Sequence, residues 1–240
     1  MTPIPCGGFA RVAYYEDLVE RDKDHECQGL GPHHICVRVD AVAELPTRFG
    51  RFKIIAFWNN RDSKDHVALV HGDVMGCQDV PTRLHSECLT GDVLGSLRCD
   101  CRDQLLVALQ KISTLEHGLV LYMRQEGRGI GLVNKVRAYA LQDQGLDTVE
   151  ANLALGFKAD VRDYGIGLQI LKDLGLTKVR LLTNNPKKTD AFIYGGYGLE
   201  VVDQVPILAP VHEHCRRYLE TKRDKLGHLL PESSSERKND

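Results

Sequence analysis

The sequence predicts an α/β layer fold. Short apolar runs of strand length alternate along it with longer stretches whose apolar residues recur every three or four positions. Several of the longer stretches close on glycine, a common helix stop. The bulk numbers agree: 240 residues, 42% hydrophobic and 27% charged, suit an ordinary soluble chain with one sizeable core or two small ones.

In chain order, residues 1–44 have weak periodicity and a loop-like patch from Gln28 to His34. Pro46-Thr47-Arg48-Phe49-Gly50 reads as a turn. Arg51 to Trp58 alternates toward a strand, and His66 to Val70 reads as another. Asp103 to Glu116 is expected to be a helix, with Leu105, Leu106, Leu109, Ile112 and Leu115 on one stripe and Gly118 ending it. Gly118 to Met123 then reads as a buried strand running into a glycine-rich loop, Arg124 to Leu132. Helices are expected over Asn134–Asp143 and Tyr164–Leu174, closed by Gly145 and Gly175. Lys178 to Leu182 reads as a strand, Pro186 to Tyr194 as a short helix and Leu199 to Val202 as a strand. A charged helix is expected from His212 to Leu226, then a disordered polar tail over 231–240. No internal repeat is present.

The formal net charge of −2 gives no global pull toward nucleic acid or anionic membrane, so any polyanion site must be a local basic cluster. No apolar run approaches the roughly 20 residues of a membrane span. Glu16, Asp17, Glu20, Asp22, Asp24 and Glu26 stand where a signal peptide would need an apolar stretch. The expectation is a cytoplasmic chain with no nucleic-acid or membrane partner. In such a chain clustered cysteines point to metal or catalysis rather than disulfides. Cys6, Cys27, Cys36, Cys77 and Cys215 are scattered and read as inert thiols, though the first three lie in a segment with no assigned structure and stay open.

Four constellations carry chemistry. Cys88, Cys99 and Cys101 offer three thiolates from one short stretch, a zinc-binding pattern. Three ligands leave a corner for water, as in catalytic zinc; His85 as a fourth would make a closed structural site instead. Arg83, Ser86, Glu87, Asp92, Arg98 and Asp100 surround the cysteines, more polar groups than a staple needs. Second, Glu126 to Gly131 is a glycine-rich turn at a strand end, able to bring backbone N–H groups and Arg128 to a phosphate. Neither the dinucleotide spacing nor a Walker loop is present. Third, Thr183-Asn184-Asn185-Pro186-Lys187-Lys188 follows a strand and opens a helix, a place where ligands bind in open α/β sheets; an ordinary solvated turn is the alternative. Fourth, Asp160-Val161-Arg162-Asp163 is either a base and a guanidinium aimed to one side or a salt-bridged surface loop, with Asp163 as a helix cap.

The stretches Arg83-Leu84-His85-Ser86-Glu87-Cys88-Leu89-Thr90-Gly91-Asp92, Ser96 to Cys101, Arg124 to Leu132, Arg137 to Gln142 and Leu181 to Lys188 closely resemble, in order, the motifs of GTP cyclohydrolase II. The resemblance implies a single α/β domain over 42–230, a mixed sheet with helices on its faces. Residues 1–41 would then be a short N-terminal extension of unknown role. They are far too short to be the dihydroxybutanone phosphate synthase that precedes this domain in many bacteria and plants. Phe192 to Tyr197 departs from the family pattern by being richer in aromatics and glycine.

The resemblance further implies a zinc-dependent reaction. GTP loses C8 as formate and releases diphosphate, leaving 2,5-diamino-6-hydroxy-4-(5-phosphoribosylamino)pyrimidine, the first committed intermediate of riboflavin synthesis. One zinc per subunit would sit on Cys88, Cys99 and Cys101, with Mg²⁺ on the GTP phosphates. GTP contacts carry over onto Arg83, Leu84, His85, Ser86, Glu87, Gln104, Glu126, Gly127, Arg128, Thr148, Thr183 and Lys188. Asp160 takes the place of a proton acceptor and Arg162 that of a nucleophile. A guanidinium with a pKa above about 12 is a poor nucleophile, so a clamp on the α-phosphate is the other reading of Arg162. Tyr139 matches a tyrosine near the base, and a homodimer is implied. Two rivals stay open: a family member that stops at the formyl intermediate, and a non-catalytic zinc module that binds a nucleotide.

Overall fold

The computed structural model describes residues 14–25, 29, 34–158, 160–209 and 212–230. The expected tail 231–240, Cys6, Cys27 and most of the Gln28–His34 patch lie outside them. The chain opens with a short helix, α1 (Asp17–Asp22), and a long hairpin, β1 (Val37–Thr47) and β2 (Gly50–Asn59). The expected turn closes that hairpin. Thr47 pairs with Gly50 around Arg48-Phe49, Thr47 Oγ1 donates to the Gly50 carbonyl at 2.9 Å, and Gly50 takes φ +141°. A side chain would be strained in that backbone conformation.

β3 (His66–His71) pairs antiparallel with β2, and β5 (Gly118–Met123) antiparallel with β3. From there the sheet turns parallel: β4 (Val80–Ser86) lies on β5, β6 (Lys178–Leu182) on β4, and β7 (Glu200–Val205) on β6. The order is β1-β2-β3-β5-β4-β6-β7, the mixed sheet expected. Helix α2 (Cys101–Ser113) crosses from β4 to β5. Helices α3 (Leu132–Asp143), α4 (Thr148–Ala154) and α5 (Gly165–Asp173) connect β5 to β6 on the other side of β4. That reversal opens a crevice at the carboxyl ends of the parallel strands, where open α/β sheets bind ligands. Helix α6 (Pro186–Tyr194) joins β6 to β7, and α7 (Arg216–Leu226) follows.

Alternation along the strands divides the core between two faces. Leu119, Leu121 and Met123 of β5 pack with Leu84, Leu181 and the α5 residues Leu168, Ile170 and Leu171. Val120, one residue out of phase, packs with Leu182 and with Ala108, Leu109 and Ile112 of α2.

The expected start of the domain at residue 42 falls inside β1, which begins at Val37. Tyr15, Leu18, Ile35, Val37 and Val39 all belong to the larger core cluster. Arg21 donates to Asp22 and, at 2.6 Å, to Asp173 at the end of α5, while Asp22 accepts the Val39 N–H at 2.7 Å. The described part of the expected extension therefore covers one face of the sheet. Two strands had no assignment from pattern. β1 carries a bulge between Val39 and Ala41 that breaks its alternation, and β4 is buried along both faces with Thr82, Arg83 and His85 inside. Among the described residues no helix is long and apolar enough to cross a membrane.

Candidate active site

Three neighbouring parallel strands deliver the site. β4 ends at Ser86 and leads into Cys88, β5 leads into the loop of Glu126 to Arg128, and β6 leads into Thr183 to Lys188.

After β4 the chain makes a single wide turn, Leu89–Val93, which folds back to α2. It brings Cys88, Cys99 and Cys101 together, with all three sulfurs within 4.8 Å of one another and 3.6 Å between Cys88 and Cys99. Tetrahedral zinc with Zn–S bonds of about 2.3 Å sets its sulfurs about 3.8 Å apart, so the cluster fits the ion. Gly91 makes the room: a Cβ there would meet Cys99 Sγ at 2.9 Å and Cys88 Sγ at 3.1 Å. Among the described residues no histidine or carboxylate joins the group. His85, the candidate fourth ligand, is instead hydrogen-bonded through Nε2 to Asp92 at 3.1 Å and stacked on Tyr122. Asp92 also accepts the Tyr122 hydroxyl at 2.8 Å and the Cys88 N–H at 3.0 Å, which fixes the first cysteine's backbone. Hydrogen bonds from Cys101 and Cys99, with the nearby Lys135 ammonium, hold the Cys88 thiol far below its ordinary range.

Lys135 carried no sequence signal beyond sharing a helical face with Ala138 and Tyr139. It is 9% exposed and donates to Cys88 Sγ at 3.0 Å and Glu126 Oε1 at 2.7 Å. Glu126 also accepts the Leu89 N–H at 2.6 Å and the Gly127 N–H at 2.8 Å. Gly127 and Arg128 both adopt left-handed backbone, φ +63° and +61°. A non-glycine residue held there is a strained conformation typical of binding loops. Tyr139, one turn beyond Lys135, is hydrogen-bonded to Thr90 Oγ1 at 3.1 Å, and burial raises its phenol pKa.

A cationic cluster fills the β4–β6 side. Arg83 donates to the Leu182 carbonyl at 2.9 Å and to Gln104 at 2.7 Å, but its buried Nε has no partner among the described residues. Lys188 donates to the Leu84 carbonyl at 2.6 Å. Burial, then the charges of Arg83, Arg162 and Lys222, push Lys188 well below its ordinary pKa. Arg162 forks onto Asp160, with Nε to Oδ1 at 2.9 Å, and its other arm reaches Ser86 Oγ at 3.5 Å. Burial alone would raise Asp160, but the Arg162 hydrogen bonds outweigh it and hold the carboxyl below the usual range. This ion pair is buried rather than a surface loop, with side chains 11% and 7% exposed. Asp163 accepts the Gly165 N–H at 2.7 Å but is not the helix cap: the N-cap of α5 is Tyr164, which makes no side-chain cap hydrogen bond.

One cleft gathers nearly every candidate. Arg83, His85, Ser86, Glu87, Gln104, Glu126, Gly127, Arg128, Tyr139, Thr148, Arg162, Thr183 and Lys188 line it with the three cysteines. Leu84 and Asp160 do not. Leu84 is buried in the core and offers only its carbonyl to Lys188, and Asp160 lies behind Arg162. Glu87 stands at the rim, paired with Arg124 at 3.2 Å. The cleft also includes Tyr218, Lys222 and His228, which pattern had left in an undistinguished charged helix and its exit.

The fold and cleft are those of an α/β enzyme, with a three-cysteine pocket that could hold a metal ion beside a cationic crevice. A sequence model of GTP cyclohydrolase II matches residues 37–206, and the chain belongs to that family. It is 55% identical to "Riboflavin biosynthesis protein RibBA" of Bacillus cytotoxicus, over 90% of this chain and 52% of that protein. The same name, identity and coverage describe its likeness to proteins of Bacillus cereus and Bacillus mycoides. The chain thus spans about half the length of these relatives. A crystal structure of "RibBX, a two domain 3,4-dihydroxy-2-butanone 4-phosphate synthase from A. baumannii" gives a TM-score of 0.43 at 20% identity, covering 70% of this chain and 40% of that one. That likeness is too slight to bear on fold or function.

Proposed function

We propose that this chain hydrolyses GTP to 2,5-diamino-6-hydroxy-4-(5-phosphoribosylamino)pyrimidine, formate and diphosphate, the first step of riboflavin synthesis. It would work as a cytoplasmic homodimer with one zinc per subunit and Mg²⁺ on the phosphates. The observation that carries the reading is a three-sulfur pocket with no fourth protein ligand among the described residues, opening into the same cleft as Arg83, Arg128, Arg162 and Lys188. Zinc held by Cys88, Cys99 and Cys101 would supply a Lewis acid and a water of pKa about 7.

The chain's own residues supply the rest. A carboxylate has about four acceptor positions, and Glu126 spends three on Leu89, Gly127 and Lys135. The fourth suits the N1–H or 2-amino edge of guanine. Tyr139, kept protonated by burial, is a donor for the ring nitrogen released when the imidazole opens. Arg83, Arg128, Thr183 and Lys188 suit phosphate oxygens. Arg162 in its ion pair is a clamp for the α-phosphate rather than a nucleophile. Turning to phosphate, it would release Asp160, whose carboxylate then regains the basicity of a proton acceptor.

Incubating the zinc-loaded chain with GTP and Mg²⁺ and assaying formate and diphosphate together tests this. Equal yields of both are expected. Diphosphate without formate would select the formyl-intermediate reading, and neither product would leave only a nucleotide-binding module. Cys99→Ser should lose zinc and formate release while diphosphate release partly survives; equal survival of both contradicts the assignment.

A further inference from the structure

The matched family region ends at residue 206, yet the chain beyond it re-enters the cleft. Helix α7 is tied to the site through its C-terminal half and the turn that follows it. Lys222, 6% exposed, donates to Asp100 at 2.6 Å, and Asp100 stands between the cysteines at 99 and 101. Past the helix, Gly227 takes left-handed backbone (φ +68°), the His228 N–H donates to the Lys222 carbonyl at 3.0 Å, and the Leu229 N–H donates to the Asn184 carbonyl at 2.9 Å. This left-handed turn folds the chain back onto the β6 loop and sets His228 in the cleft wall. Lys225 adds an outer tie, to Glu150 at 3.0 Å.

Three features of the segment point to a polyanion. The Tyr218 ring carries the Lys222 ammonium 4.4 Å from its centroid and the Arg128 guanidinium at 5.8 Å. It thereby holds two cations from different elements in one place. Burial, then the charges of Lys222, Arg162, Arg128 and Lys188, drives the His228 imidazole down to about 3, as expected of a ring facing four cations. The carboxylates at hand, Asp100 and Asp160, are already spent on Lys222 and Arg162. Such a concentration of like charge is relieved by a multiply charged anion.

We propose that the segment from Arg216 to Leu230 is the polyphosphate wall of the nucleotide site. His228 contacts the outer phosphates, and Tyr218 is a positioning residue that sets Arg128 and Lys222 around them. The proposal rests on the GTP reading but is measured apart from it.

Calorimetric binding of inorganic tripolyphosphate to the zinc-loaded chain is compared for wild type, His228→Ala, Tyr218→Leu and Tyr218→Phe, with thermal unfolding as the check on folding. His228→Ala and Tyr218→Leu should each weaken binding by about tenfold, the scale of one charge-assisted contact, while Tyr218→Phe binds as wild type because the ring face is retained. With GTP, KM should rise in parallel while kcat changes by less than about threefold, the pattern of lost uniform binding. Unchanged tripolyphosphate affinity in folded His228→Ala and Tyr218→Leu overturns the proposal, as does equal loss in Tyr218→Phe for the role of the ring. A wild type that binds tripolyphosphate but leaves GTP intact would refute the reaction and leave the wall standing.

Discussion

Lys135→Met isolates the ion pair that joins the sulfur pocket to the glycine-rich loop. The Lys135 and Glu126 side chains are 11% and 10% exposed and 2.7 Å apart. Removing one member of a buried pair strands the other charge, at a cost of about 3–5 kcal/mol. The lower end applies because the Leu89 and Gly127 N–H groups still hold the Glu126 carboxylate. For a chain this size about 3 kcal/mol lowers Tm by roughly 6–12 °C. Adding Glu126→Gln removes the stranded charge, so the double variant should be less damaged than the two singles summed. In the metal-free chain Lys135 is also the cation beside the Cys88 sulfur, so its loss should matter more with chelator than with zinc. Urea unfolding of the four proteins, with chelator and with zinc, measures the cycle. A Lys135→Met loss under about 1 kcal/mol, or additivity within about 0.5 kcal/mol, would show that the pair is uncoupled and refute the reasoning.

Gly91→Ala would press a methyl to 2.9 Å from Cys99 Sγ, so the purified variant should carry less than stoichiometric zinc by elemental analysis; full loading would show that the turn yields freely. Asp173 is raised to about 6 by burial and then by Asp22, so its contribution to stability is full below about pH 4 and fades as pH rises through 6. Relative to Asp173→Asn, wild type should therefore lose up to about 3 kcal/mol over that window in urea unfolding, and a flat difference contradicts the shift. Tyr139→Phe should keep GTP affinity and slow ring opening by about 100-fold or more, read as formate release; an unchanged rate removes Tyr139 from proton transfer.

Much of the architecture was legible because its signals are local. The strand at Gly118–Met123, the strand at Lys178–Leu182 and the helix at Pro186–Tyr194 stand at the expected bounds, where apolar runs meet glycine or Asn-Pro punctuation. β4 was not read as a strand, because a strand buried on both faces has no alternation and this one hides polar residues that serve the cleft. The three cysteines were legible from spacing, and the structure brings them together. Lys135 was not, since a lysine in a helix normally faces water and only the third dimension puts this one against a thiolate. Tyr218, Lys222 and His228 were missed for the same reason: the helix and its exit are polar in pattern, and what fixes Lys222 is Asp100, more than a hundred residues earlier in the chain.

The sheet is also a ruler. β5, β4 and β6 stand side by side, and hydrogen-bonded strands repeat every 4.8 Å or so, which sets the loop bearing Glu126 and the loop bearing Lys188 about 10 Å apart at their roots. Backbone pairing, not side-chain reach, thus gauges how far apart the two ends of any occupant can lie. Exchanging side chains along the cleft would change the grip while leaving that span untouched.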